Sequence, residues 1–176
     1  LCYYLIRKAN IMAENVNVRI TMQGGGIIEL ELYSDIAPIT VANFKELVES
    51  SFYDGLTFHR IMEGFMMQGG APNADSPEIA NIVGEFASNG IENNLLHERG
   101  VISMARSSVM NSASSQFFIM HGTKPHLDGD YAAFGKVIEG IEVVDNICKA
   151  AQPIDGNGGI APAAQPVITS VTVTPA

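Results

Sequence analysis

The 176-residue chain holds only two cysteines, Cys2 and Cys148. Neither sits in a CxxC or a Cys/His cluster, so a disulfide framework and a zinc site of ordinary spacing are excluded. Two unpaired thiols fit a reducing compartment. Runs of basic residues are also missing. Ten lysines and arginines stand against 19 aspartates and glutamates, a formal net charge of −9, with a sequence pI of about 4.8. Phosphate backbones repel so acidic a chain, and no nucleic-acid partner is expected. No apolar run approaches the roughly 18 residues of a membrane span, so no membrane partner is expected either. The GxSxG, HExxH, P-loop and dinucleotide fingerprints are absent. His59, His97, His121 and His126 lack metal-ligand spacing and read as packing or hydrogen-bonding residues. No Ser/His/Asp or Cys/His nucleophile arrangement stands out. Neither a metal nor a cofactor is expected.

What is present is an ordinary globular composition, 47% apolar and 16% charged, in a chain long enough to bury a core without staples. Leu1 to Lys8 run apolar and then basic, the reverse of a secretory signal. Met12 reads as the natural start. Residues 1–14 are taken as an N-terminal extension outside the fold, and residues 15–176 as one cytoplasmic domain, monomeric by default.

Val16, Val18, Ile20 and Met22 alternate with polar residues, then Gly24-Gly25-Gly26 interrupts, then Ile28, Leu30 and Leu32 alternate with glutamates. That period of two around a glycine turn predicts an antiparallel hairpin. Thr40 reads as the N-cap of a helix over residues 41–50, with Val41, Phe44, Leu47 and Val48 on one face. Short β-type runs follow at Leu56–Ile61, Phe65–Gln68, Gly100–Met104, Gln116–Met120 and Tyr131–Val137. Residues 71–99 are polar and aperiodic, a long surface loop of the kind that often carries function. A second short helix is expected near Val143–Lys149 and a closing β-branched strand at Val167–Val173. The pattern implies a mostly-β domain, and by itself leaves barrel and sandwich open.

Two segments carry candidate chemistry. In Phe58-His59-Arg60-Ile61-Met62-Glu63-Gly64-Phe65-Met66-Met67-Gln68-Gly69-Gly70 an arginine sits inside an apolar strand. A rim arginine with a packed stem explains it as well as a functional one does. In Ser114-Ser115-Gln116-Phe117-Phe118-Ile119-Met120 both strand faces are apolar except for a glutamine. Such a strand either lies between layers or lines an apolar pocket, and an ordinary covered barrel strand is the simpler of the two. The eight methionines suit an adaptable peptide-binding surface and a core equally.

Taken together these segments resemble the cyclophilins. FHRIMEGFMMQGG at residues 58–70 is similar to that family's first signature. GVISMAR at 100–106, SSQFFI at 114–119 and HLDGDYAAFGKVIEGIEVVD at 126–145 match later blocks in the same order. The resemblance covers roughly residues 15–174, and residues 81–99 look closer to bacterial members. It implies a closed eight-stranded antiparallel β-barrel capped by two α-helices, with the active site on its outer surface. It further implies cis–trans isomerisation of X–Pro peptide bonds, assistance to protein folding, and proline-containing peptides and unfolded or partly folded proteins as partners. By motif position the catalytic arginine is Arg60, with Gln68 beside it. Phe65, Met66, Phe118 and Leu127 form the proline pocket, Gln116 adds a polar contact, and Ala105, Arg106 and Ser107 border the upstream groove. Three positions depart from the eukaryotic pattern. Arg106 replaces an asparagine, His126 a tryptophan, and Tyr131 a histidine on the pocket wall. These changes imply weakened cyclosporin affinity more than altered catalysis.

Overall fold

The computed structural model describes residues 14–175. The expected extension lies almost wholly outside them. Eight strands run in one sheet: β1 (Val16–Met22), β2 (Ile27–Leu32), β3 (Phe58–Met62), β4 (Met66–Gly69), β5 (Val101–Met104), β6 (Phe117–Met120), β7 (Ala133–Glu139) and β8 (Ile168–Thr174). Their spatial order is β3-β4-β6-β5-β7-β2-β1-β8, and every neighbouring pair is antiparallel. Two helices, α1 (Pro38–Glu49) and α2 (Ile141–Ala150), pack against this curled sheet.

The expected hairpin forms with Val18 opposite Leu30 and Ile20 opposite Ile28. All four are fully buried, as alternation with one wet face requires. The central core joins them to Phe44, Leu47 and Val48 of α1, Phe117 and Ile119 of β6, and Val144 and Cys148 of α2. Burial pushes the Cys148 thiol up to about 12, which makes it an inert core residue.

Closure of the barrel is corrected. The outermost strands β3 and β8 share no ladder. Between them stand a single bridge, Thr57 to Val167, and backbone hydrogen bonds such as Gly55 N to Ile168 O and Ile168 N to Leu56 O. The physical reason is a competing segment. Residues 158–160 lie along β3, where Ile61 N donates to Gly158 O and Ile160 N donates to His59 O. The edge groups that a closed barrel would pair with β8 are thereby satisfied locally.

Helix α1 corrects a second expectation. It begins at Pro38, with Ala37 as a cap that makes no side-chain bond. Proline has no N–H to leave unsatisfied and its φ suits the first helical position, so the helix starts before Thr40. Thr40 instead lies inside the first turn, wholly buried. The capping role belongs to Glu85, whose carboxylate accepts Ile39 N at 3.2 Å, Thr40 N at 2.6 Å and Thr40 Oγ1 at 2.7 Å. A buried carboxylate at a helix N-terminus answers both the free N–H groups and the positive end of the dipole. Glu85→Ala strips three donors of their acceptor. It is expected to lower stability by about 1–3 kcal/mol, read as a lower urea midpoint at unchanged m. An unchanged midpoint would show that the α1 terminus needs no such partner.

Residues 71–99 are mostly irregular, as expected, but they are not simply a surface loop. Glu85, Phe86 and His97 within them are 2%, 1% and 1% exposed. Polar composition hid three anchors. Strand β7 starts at Ala133 rather than at Tyr131.

Candidate active site

Strands β4 and β6 are apolar on both faces because each face has its own core. Met67, Phe117 and Ile119 point into the central core, whereas Met66, Phe118 and Met120 join Val101, Leu127 and Ala133 in a second cluster outside it. The second cluster is the floor of an open cavity of about 220 Å³, lined by Arg60, Phe65, Met66, Gln68, Ala105, Arg106, Phe118, Leu127 and Tyr131. A neighbouring cavity of about 380 Å³ shares Gln68, Ala105 and Arg106 and adds Ser107, Ser112, Ser114 and Gln116. Nine of the twelve expected site residues therefore meet in the first cavity, and Ser107 and Gln116 meet in the second. His126 lines neither; it is exposed, with its ring 5.9 Å from that of Phe65.

Arg60 projects from β3 opposite Gln68 of β4. Its Nε donates to Asn157 O at 2.6 Å and its Nη1 to Gln68 Oε1 at 3.3 Å. Gln68 Nε2 in turn donates to Gln116 Oε1 at 3.0 Å. The arginine thus fixes the direction of two amides in series. Among the described residues its Nη2 meets only the thioether of Met62, at 3.7 Å. No carboxylate pairs with Arg60 among the described residues, so its charge and its remaining donors stay available.

Asn157 reaches Arg60 because the 155–159 turn is tightly wound. The Asp155 carboxylate accepts Asn157 N at 2.8 Å and Gly159 N at 2.9 Å. Those backbone donors, that of Gly159 foremost, hold the carboxyl below the usual aspartate range, helped by the nearby Arg60 charge. Gly158 takes φ +87°, and a Cβ there would stand 2.5 Å from Met62 Cγ and 2.8 Å from Ile61 O. Only glycine allows this turn to press against β3.

Behind the pocket wall lies a buried polar chain. Asp128 Oδ1 accepts from the backbone N of His97 (2.6 Å) and lies 3.0 Å from its ring Nδ1, while Nε2 meets Ser103 Oγ at 2.9 Å. The ring stacks on Phe118 at 6.0 Å and 19°, and Phe118 meets Tyr131 edge-on at 5.9 Å. His97, Asp128 and Ser103 form a strut, sealed from solvent at His97 and Ser103, that fixes the aromatic wall. On the other side Gly64 N donates to His121 Nδ1 at 2.8 Å. His121 Nε2 lies 3.1 Å from Asp145, which Arg99 grips with both terminal nitrogens. This second strut anchors the turn that presents Phe65.

Burial holds the His97 ring below the ordinary imidazole range, outweighing the bond to Asp128. His59 is lowered too, by burial first and the Arg60 charge second, and its Nδ1 has no hydrogen-bond partner among the described residues. The unfolded chain protonates both near pH 6.5, the folded chain only below that. Their contribution to stability is therefore complete above about pH 6.5 and is lost as the pH falls through and below it. The expected slope is up to about 1.4 kcal/mol per pH unit for His97, with a smaller share from half-buried His59. Urea midpoints between about pH 7.5 and 5 measure this slope, and His97→Gln should flatten it. Equal slopes in the two proteins would remove His97 as its source.

Several site residues carry no signal in the sequence. Asn157 lies 97 residues from Arg60, and its contact is made by the backbone carbonyl, which no residue type marks. Phe86, which backs Arg106, is a lone aromatic in an aperiodic stretch. Ser103, His97 and Asp128 are spread over three elements.

Comparison with known proteins agrees with this geometry. The family model for cyclophilin type peptidyl-prolyl cis-trans isomerase/CLD matches residues 17–173. The chain is 43% identical over 126 residues to peptidyl-prolyl cis-trans isomerase B of Bacillus subtilis, covering 72% of this chain and 86% of that one. It is 44% identical over 129 residues to a peptidyl-prolyl cis-trans isomerase of Acinetobacter baylyi, covering 69% and 66% respectively. A Cryptosporidium parvum cyclophilin type peptidyl-prolyl cis-trans isomerase, solved in the presence of the dipeptide Ala-Pro, superposes with a TM-score of 0.73 at 28% identity, covering 91% of this chain and 99% of that chain. The chain belongs to the cyclophilin-type peptidyl-prolyl cis-trans isomerases. It is an isomerase that catalyses cis–trans exchange about prolyl peptide bonds, with folding assistance as its general role.

Proposed function

We propose that the proline ring of the substrate enters the cavity floored by Met66, Phe118 and Leu127, and that Arg60 drives the exchange. The observation carrying this reading is a guanidinium without a carboxylate partner lining the same open cavity of about 220 Å³ as Phe65, Met66, Phe118 and Leu127. Isomerisation breaks no covalent bond. Its barrier of about 18–20 kcal/mol is lost amide resonance, and free X–Pro bonds exchange in tens to hundreds of seconds. In the twisted state the prolyl nitrogen becomes pyramidal and gains a lone pair. An N–H of Arg60 donates to that lone pair, a bond that neither planar isomer can make as well, and so lowers the barrier selectively.

Phe65 and Tyr131 flank the ring, and the Gln68–Gln116 chain offers polar contacts to the turning carbonyl and the upstream backbone. Ala105, Arg106 and Ser107 border the second cavity, where the residues before proline run. His126, standing at the rim against Phe65, shields one edge of the pocket. With an arginine at 106 and a histidine at 126, cyclosporin binds more weakly than to cyclophilins carrying asparagine and tryptophan there.

Titration with Ala-Pro, followed by amide and methyl chemical shifts, tests the placement. Shifts centred on Phe65, Met66, Phe118 and Leu127, absent with Ala-Ala, are expected. Shifts centred instead on the concavity beside Ile27 and Ile138 would put the substrate elsewhere.

A further inference from the structure

Arg106 is held unlike any other cation among the described residues. Its guanidinium lies between two aromatic rings, 4.9 Å from the centroid of Phe86 and 4.7 Å from that of Tyr131. Nε and Nη2 donate to Asp130 O at 3.1 and 2.6 Å, and Nη1 donates to Ser107 O at 2.9 Å. Every hydrogen-bond partner is a neutral carbonyl. Stacking and carbonyl bonds fix the group in place without neutralising it.

The distribution of charge makes this unusual. The chain carries a formal net charge of −9. Among the described residues Arg19, Lys45, Arg99 and Lys136 each pair with a carboxylate. Arg60, Arg106, Lys124 and Lys149 do not, and the first two line the same cavity. No aspartate or glutamate lines either that cavity or the one beside it. Asp130 presents its backbone carbonyl to Arg106, and the Asp155 carboxylate, near enough to feel the Arg60 charge, is taken up by the Asn157 and Gly159 backbone N–H groups and forms no salt bridge with it. The peptide groove is therefore a positive strip on an acidic protein.

We infer that Arg106 makes this isomerase selective for acidic substrates, those with aspartate or glutamate within two residues before the proline. The inference rests on the peptide lying in these two cavities. Arg106 borders both, so a side chain just upstream of a seated proline passes its guanidinium. A carboxylate there meets a fixed, unpaired, half-buried charge whose entropy of ordering is already lost in the free enzyme, whereas a lysine meets repulsion from Arg106 and Arg60. A half-exposed pair of this kind is worth about fivefold, or about 1 kcal/mol at 1.4 kcal/mol per decade. The difference between acidic and basic substrates should reach about tenfold at low salt and shrink as salt screens it.

The test is exchange NMR on acetylated, amidated peptides, whose ends carry no charge, of the forms Ala-Xaa-Pro-Phe and Xaa-Ala-Pro-Phe with Xaa glutamate, glutamine or lysine. The intact chain is compared with Arg106→Gln and Arg106→Lys. Ratios between peptides are read within each protein, so a general loss of activity cancels. In the wild type, kcat/KM for the glutamate peptide should exceed that for lysine by about tenfold at one position or the other, and high salt should bring the ratio towards one. Arg106→Gln should reduce the ratio to about threefold or less, the remainder coming from Arg60, and Arg106→Lys should retain most of it. A wild-type ratio near one at both positions, or a ratio untouched by Arg106→Gln, overturns the inference. The glutamine peptide separates the two readings: its acceleration by the wild type sustains the isomerase site even where the charge preference fails. If Arg106→Gln does not fold, the salt dependence of the wild type and the Arg106→Lys ratio decide alone.

Discussion

Arg60→Ala lowers kcat/KM for a neutral X–Pro peptide by about a hundred- to a thousand-fold while the protein stays folded. The size follows from the loss of one pre-aligned, charge-assisted donor in a partly water-excluded site, about 3–4 kcal/mol by comparison with oxyanion-hole donors. The structure adds reasons for the upper part of that range. Arg60 is immobilised by Asn157 O and Gln68 Oε1, so its donors are aimed before the substrate arrives. Its removal also frees Gln68, and with it Gln116. The fold should be almost indifferent, because the arginine is half-exposed and its partners can turn to water. A protease-coupled assay reads the rate, and near-ultraviolet circular dichroism reads the fold. A tenfold loss or less would mean that pocket binding and desolvation supply most of the acceleration. Arg60→Lys should recover little, since a compact ammonium cannot hold Asn157 O and Gln68 Oε1 while also reaching the prolyl nitrogen.

Phe44→Ala has the opposite profile. Phe44 is fully buried and its ring lies 5.1, 5.4 and 5.3 Å from those of Tyr53, Phe117 and Phe134. It ties α1 to β6 and β7 at the centre of the main core. Deleting so large a side chain where four rings interlock costs about 3–5 kcal/mol, a large part of the roughly 5–15 kcal/mol that keeps a domain folded. For a protein of this size that lowers the melting temperature by roughly 10 °C or more. Below the transition its turnover should stay within a few-fold of wild type, because Phe44 does not reach the second cluster that floors the cavity. The two variants together separate what folds the molecule from what makes it act. A Phe44→Ala protein that melts like the wild type would show that the aromatic centre had been over-valued.

How much of this was legible in the residues depended on whether a face was wet. β1 and β2 have one dry and one wet face, and their alternation gave the hairpin. β4 and β6 are dry on both, and periodicity could not tell the second, pocket-forming face from an ordinary covered one. Arg60 reads equally as a rim arginine, and only its resemblance to a family motif singled it out. The open edge between β3 and β8 was not foreseeable because residues 158–160, which take up the hydrogen bonds of β3, carry no β-type run. Glu85, Phe86 and His97 were missed for a related reason: in an irregular segment no spacing marks the residue that turns inward. Thr40 shows the converse, a good cap by type that Pro38 placed one turn too deep to serve.

The most direct measurement is exchange spectroscopy on a neutral Ala-Pro-Phe peptide with catalytic amounts of wild type and of Arg60→Ala, with peptide binding read from the same spectra. Rapid cis–trans exchange in the wild type, lost in a variant that still binds the peptide in the Phe118 pocket, is the predicted result. Equal acceleration by both proteins would contradict it, and would leave Arg60 as a rim arginine beside a pocket that works by other means.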